Sequence, residues 1–359
     1  MTRTFFSLFF ACAGASALAC SSSDSVSTEK TDAQYQADTV AQMHDSLVSN
    51  IDELLDASKA LQSSAPNDAA GWTDANVTTM KTAWVRARSA YEQIEGALAS
   101  IFPDLDHSID ARIEDFVKVN GIDTYMFDDQ NVTGLHAAER IIYAKDTPDF
   151  IKSRESDLHY TPAAWPATDA EAADFKNKLC AKIVADAQTF HDQWTPQKTD
   201  IASAFTGLVA LMNEQKEKVN NASLLEEESR YSQRTMADLR DNLTGTRKVY
   251  ALFQPWLFSK SSSDPAKDGK TADAKILAGF QQLDSIYATV KTDQGALSPA
   301  IPQPPASWSA ENPSAADLAT PFGQLYKGVL TAVDKVDPNS VVSQMNDEAA
   351  ILGFQPFVP

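Results

Sequence analysis

Apolar residues recur at three- and four-residue spacing along nearly the whole chain, and alternating apolar and polar runs rich in β-branched residues are missing. The spacing predicts helices over roughly 32–63, 74–101, 107–118, 132–144, 169–194, 199–221, 230–257, 271–293, 314–335 and 339–351. Start signals support several of them. "TDAN" opens the second, and Thr168 or Asp169 precedes a glutamate-rich first turn. Between the helices lie "SSAPNDAAG", "TPDFIKSRESDLHYTPAAWPAT", "SKSSSDPAKDGKT" and "SPAIPQPPASWSAENPS", whose turn-forming composition marks loops. No repeat of about 20 to 50 residues is visible, which argues against a solenoid. Long helices joined by short turns fold as antiparallel bundles. Ten helices exceed one four-helix core, so the expectation is an all-α chain of two four-helix bundles side by side, divided near the loop at 145–167: one over 32–165 and one over 166–359.

The first residues break this pattern. "MTRTFFSLFFACAGASALAC" carries Arg3, then an apolar run from Phe5, then small residues before Cys20. That is the layout of an export signal, and the run is shorter than the roughly 20 residues a membrane-spanning helix needs. The expectation is a signal peptide over 1–19, lipidation of Cys20 and a polar tether over 20–31. Cleavage by an ordinary signal peptidase, giving a secreted soluble form, is the alternative, because "ALAC" also offers an A-x-A site and Ala17 stands where the lipoprotein box usually has Leu. With Cys12 lost and Cys20 acylated, Cys180 is left without a partner and reads as a core filler, so packing must supply the stability. A formal charge of −19 disfavours nucleic acid and anionic lipid as partners and suits an exported protein or a collector of cations.

Three stretches carry candidate chemistry. In "GLHAAERIIY", Leu135, Ala138, Ile141 and Ile142 form an apolar arc, while His136 and Glu139 are i,i+3 neighbours whose side chains can converge on one ion. A solvated helix face explains the same spacing. In "WVRARSAYEQIEGAL", Trp84, Arg88, Tyr91 and Glu95 share one side beside the stripe of Met80, Ala87, Ile94 and Leu98. An arginine and a glutamate bordering a core face need partners. They are either an Arg88–Glu95 ion pair between helices or a polar pocket in which Glu95 adds an oxygen ligand. In "ESRYSQRTMADLRDNLTGTRKVY", Tyr231, Thr235, Asp238 and Asn242 form a polar row that lines a cleft or faces water.

Taken together, the three stretches resemble the imelysin-like family, also called peptidase family M75, through Gly134, His136 and Glu139 of its G-x-H-x-x-E motif. Trp84, Arg88, Tyr91, Glu92 and Glu95 resemble its second-helix pattern, and Ser232, Thr235, Asp238 and Asn242 a later one. "SIDARIEDF", with Asp110 and Arg112, is a weaker match. The resemblance implies two four-helix bundles with the H-x-x-E site near their junction, in an exported and often lipid-anchored protein associated with iron acquisition. His136, Glu139 and Glu95 are then the expected metal ligands. Trp84, Arg88, Tyr91, Asp110, Ser232, Asp238 and Asn242 are expected to orient ligands or contact a chelator.

The family name also implies metallopeptidase activity, with Glu139 as its catalytic group. A zinc peptidase of the usual helical kind places two histidines and a general-base glutamate in one motif, whereas this motif supplies one histidine. One imidazole with several carboxylates suits iron better. The expected function is therefore capture of a metal ion, iron above all, or of an iron-bearing chelate, with envelope iron-transport components as partners and contact with the membrane through the lipid anchor only. His44, His107, His159 and His191 read as surface or loop residues.

Overall fold

The Asp32–Ser64 helix (α1) shows how the spacing builds the fold: Thr39, Met43, Leu47, Ile51, Leu54, Ser58 and Leu61 fall on one stripe and are buried. A computed structural model describes residues 29–195 and 199–358. The expected signal peptide and the expected lipidation site, Cys20, lie outside the described residues. After α1 come α2 (Asp74–Glu92), α3 (Glu95–Leu98), α4 (Pro103–Asp110), α5 (Ile113–Asn120), α6 (Gly134–Ile142) and α7 (Asp149–Asp157). Then follow α8 (Asp169–Asp174), α9 (Cys180–Gln193), α10 (Ile201–Asn221), α11 (Thr235–Tyr250) and α12 (Gln254–Phe258). The chain closes with α13 (Gly269–Tyr287), α14 (Ala315–Leu318), α15 (Pro321–Val333) and α16 (Val341–Leu352). The fold is all-α. Among the described residues the only β pairing is an isolated bridge between Lys291 and Leu297, and no helix is long and apolar enough to cross a membrane.

From Asp32 onward the chain is one compact unit. Within it, α1 packs on α2 and α9, and α6 lies against α2, α4 and α9. Further along the chain, α10 packs on α11, α15 and α16, while α13 covers α11, α15 and α16. The seam between these two groups is made by α3 on α10 and by α11 on α2 and α3. The cap signals hold. Thr73 accepts from the Asn76 N–H at the start of α2, and Thr168 and Glu171 form a reciprocal capping box on α8. Cys180 is fully buried, and burial raises its thiol pKa.

Four departures from the periodicity reading have local causes. The expected loop at 145–167 contains α7, a helix with a weak apolar stripe that buries only Ile151 and Glu155. The helix expected over 107–118 is two, because Ala111 and Arg112 are extended. The helix expected over 230–257 starts only at Thr235, after a turn in which Gln233 has positive φ, and ends at Tyr250 before α12. The helix expected over 74–101 breaks at Gln93–Ile94. There α11 approaches so closely that a Cβ on Gly245 would lie 2.0 Å from the Gln93 carbonyl oxygen.

Gly134 fixes the start of α6 in a similar way. Its φ is +83°, and a Cβ there would stand 2.5 Å from the Ile109 carbonyl, beside the end of α4. Gly134→Ala is therefore expected to cost about 3 kcal/mol through the left-handed backbone and the clash together. Chemical denaturation of the variant against the wild type measures this.

A second expectation concerns the core of the later helices. Tyr250 on α11 bonds both Asp273 on α13 and Glu348 on α16, each at 2.9 Å. One hydroxyl proton cannot serve two ionised carboxylates. Burial, with Asp273 adding to it against the Tyr250 bond, pushes Glu348 up to about 8. A carboxyl with a raised folded pKa holds its proton in the folded state after the unfolded chain has released it. Its contribution to stability is full below the unfolded value of 4.5 and falls as pH rises towards 8. Thermal melts should show the wild type losing several degrees between pH 5 and pH 8, with Glu348→Gln flattening that slope.

Candidate functional site

The break at Gln93–Ile94 turns Glu92 and Glu95 towards α11. Asn242 on α11 meets both: its amide nitrogen lies 3.1 Å from the freed Glu92 carbonyl, 2.6 Å from Glu92 Oε2 and 2.8 Å from Glu95 Oε2. The Asn242 oxygen accepts from Gln215 Nε2 at 3.1 Å, and the Gln215 oxygen accepts from the Tyr287 hydroxyl at 2.8 Å. All of these side chains are buried. The polar row of Tyr231, Thr235, Asp238 and Asn242 does not face water: each is 1% exposed or less, because α11 lies across the seam.

Arg88 lies one turn before Glu92, 1% exposed, with carboxylates on every side. Its guanidinium pairs with Glu92 and Asp110 at close range, with Glu228 at 3.4 Å, and through Nε with Asp238 at 3.5 Å. Of the two alternatives, the Arg88–Glu95 pair does not form: Arg88 takes these four, and Glu95 binds Lys218 of α10, with both oxygens 3.2 Å from Nζ. Lys218 also lies 3.1 Å from Glu228 and 3.9 Å from Glu92.

His136 is 2% exposed and joins the same cluster. Its Nδ1 is 3.3 Å from Glu139 Oε2, and its Nε2 is 3.4 Å from Asp110 Oδ1 but makes no hydrogen bond. Of the two alternatives for H-x-x-E, the solvated face is therefore eliminated. Glu139 is fully buried and accepts from the Ser232 backbone N–H at 2.7 Å, so Ser232 contributes its main chain. Trp84 sets the height of α6 on α2 by donating to the Leu135 carbonyl at 2.8 Å. Tyr91 donates its hydroxyl to Asp106, outside this set of acids.

Six carboxylates thus surround His136 and two buried cations: Glu92, Glu95, Asp110, Glu139, Glu228 and Asp238 against Arg88 and Lys218. Such an excess of buried negative charge is costly unless protons or cations offset it. Burial pushes Glu92 well above its usual range, which Arg88 and Lys218 oppose without cancelling. Burial likewise raises Asp238 against the pull of Arg88. Glu228 goes the other way: burial alone would raise it, but Lys218, Arg88 and His136 draw it down to about 2. Glu92, Glu95 and Asp110 each offer one oxygen within 4.8 Å of the others, and so do Glu92, Glu228 and Asp238. His136 Nε2 is buried without a hydrogen-bond partner, whereas Glu92 Oε1 faces the Arg88 guanidinium.

Sequence reasoning missed Glu228 and Lys218 as site residues and did not single out Glu92 as a ligand. Glu92 was visible in the motif but not at the core-facing angle of an unbroken helix. Lys218 stands in "EQKEKVNN", which reads as a solvated face. The other histidines stay apart: His44 stacks on Trp194, His107 lies against Phe116, His191 is near Asp52 and Asp192, and His159 lines a separate pocket.

The family model for imelysin, Peptidase_M75, matches residues 44–307. The chain is 28% identical over 220 residues to the iron uptake system component EfeM of Pseudomonas syringae, covering 61% of each chain. It is 27% identical over 208 residues to the iron uptake system component EfeO of Yersinia pseudotuberculosis, covering 58% of this chain and 44% of that one. The chain thus spans only about half of the curated relatives it matches. A solved structure described as an iron-regulated protein A precursor from Parabacteroides distasonis superposes with a TM-score of 0.54 at 14% identity, over 91% of this chain and 97% of that one, which speaks for the fold. On the match across 44–307, this chain belongs to the imelysin family.

Proposed function

We propose that this protein serves iron uptake at the cell envelope by capturing an iron ion, or a small iron chelate, in the seam between two helical bundles. The observation that carries the reading is the set of six carboxylates gathered about Arg88 and Lys218, two of which, Asp110 and Glu139, also contact His136, with only those two cations to balance them. The donor set fits the cargo. Five or more carboxylate oxygens and one imidazole make a hard-to-borderline site that suits iron, where a tetrahedral zinc centre would want more nitrogen or sulfur. His136, Glu139 and Glu95 are the primary ligands in this reading, with Asp110, Glu92 and Glu228 completing the shell. Arg88 and Asn242 hold the carboxylates in place, and Trp84 and Ser232 hold α6 and Glu139. Iron-uptake relatives and the family match support the cargo. Export and an anchor at Cys20 would place the site outside the cytoplasm, next to envelope transport components.

Capture without hydrolysis is the form of this proposal, because among the described residues His136 is the one imidazole in the cluster. The test is anaerobic titration of the purified protein with ferrous ion, read by equilibrium dialysis, beside a cleavage assay on unfolded casein. Wild type should bind close to one equivalent and leave casein intact. His136→Ala with Glu139→Gln should weaken binding at least about tenfold while the far-ultraviolet dichroism stays helical. Equal binding by both proteins, or casein cleavage that the double variant abolishes, would refute capture at this site.

A further inference from the structure

The two buried cations of the cluster are not equivalent. Arg88 is a planar fork fixed on four carboxylates. Lys218 is equally well buried, at 4% exposure, yet it lines a cleft of about 250 Å³ together with Arg112, Glu214, Glu217, Asn221 and Glu228. Arg88 does not border that cleft. Lys218 therefore stands between the opening and the carboxylates Glu95 and Glu92, which do not line the cleft, with Glu228 beside it in the wall.

A second berth lies on the same helix. Glu214 is one turn before Lys218, at the i,i+4 spacing that favours a glutamate followed by a lysine, and it lines the same cleft. Glu217, with its carboxylate 61% exposed and 4.0 Å from Arg112, marks the rim. A lysine stem has four rotatable carbons and a compact head, so it can leave Glu95 and Glu228 for Glu214 with no change in backbone. A guanidinium held in a bidentate fork cannot do this.

We infer that Lys218 is a displaceable counter-ion guarding the seam: its ammonium neutralises Glu95 and Glu228, and yields them to an incoming cation by swinging to Glu214. This rests on the capture reading above and adds to it the residue that admits the ion and the two carboxylates that meet it first. It also supplies a selectivity. A monovalent ion gains little from displacing an ammonium of equal charge, whereas an ion of charge two or more doubles the attraction on the same oxygens. The site is thereby biased against monovalent ions such as sodium and potassium.

The test follows the lysine directly in the intact wild-type protein. Brief acetylation with and without saturating ferrous ion, under anaerobic conditions and read by peptide mass spectrometry, should show Lys218 protected alone and labelled at least about tenfold faster with the ion. Lys267, 75% exposed on the surface, should not change. In parallel, Lys218→Met should bind ferrous ion about tenfold more tightly, and Lys218→Arg more weakly, since the fork would hold the carboxylates harder. Unchanged or slower labelling of Lys218 in protein that has bound the ion would overturn this inference and leave the capture reading standing. Absence of ferrous binding in both wild type and Lys218→Met would overturn the two together. The labelling arm needs no variant, so a folding defect in Lys218→Met does not blunt it.

Discussion

The guanidinium of Arg88 is the constraint on which the seam depends. It lies on α2, yet its four carboxylate partners come from α2, α4, the segment before α11 and α11 itself. Removing it would leave several buried negative charges facing one another, a loss that typically runs to about 3–5 kcal/mol for a broken buried pair. Hydrophobic packing brings these helices together; Arg88 decides which of their polar faces meet.

The break in the second helix is the companion feature. An unbroken helix from Asp74 onward would occupy the Glu92 carbonyl in its own ladder and carry Glu95 to a different angle. The kink, permitted by Gly245 and received by Asn242, turns one acid-bearing helix into two short arms pointing at one place. Structural distortion and ligand convergence therefore have a common origin, in keeping with the tendency of helix irregularities to mark functional positions.

Much of this was legible in the sequence, for identifiable reasons. Long amphipathic helices announce themselves through apolar spacing, so α1, α6, α10 and α16 fell where the pattern placed them, within a few residues. His136 and Glu139 were legible because i,i+3 geometry is local. What escaped was whatever depends on a neighbour. The break at Gln93–Ile94 comes from the approach of α11, which no window of α2 reveals. Lys218 looks solvated because its own helix is lysine- and glutamate-rich, and only the fold buries it. The row from Tyr231 to Asn242 could not be assigned to water or to a cleft until α11 was seen lying across the seam, since polar side chains carry no label for the side they face.

One more property follows from the amide chain behind the acids. An asparagine amide can present either its oxygen or its nitrogen, and beside carboxylates the two orientations are opposite in sign. Here the choice is held at both ends: Gln215 gives its nitrogen to the Leu211 carbonyl and to the Asn242 oxygen while its own oxygen accepts from the Tyr287 hydroxyl, and Asn242 turns its nitrogen to Glu92 and Glu95. A phenol on α13 thus braces, through Gln215, an amide two side chains away, and loss of that single hydroxyl would leave the Gln215 oxygen buried without a donor and loosen the hold on the Asn242 amide beside Glu92 and Glu95.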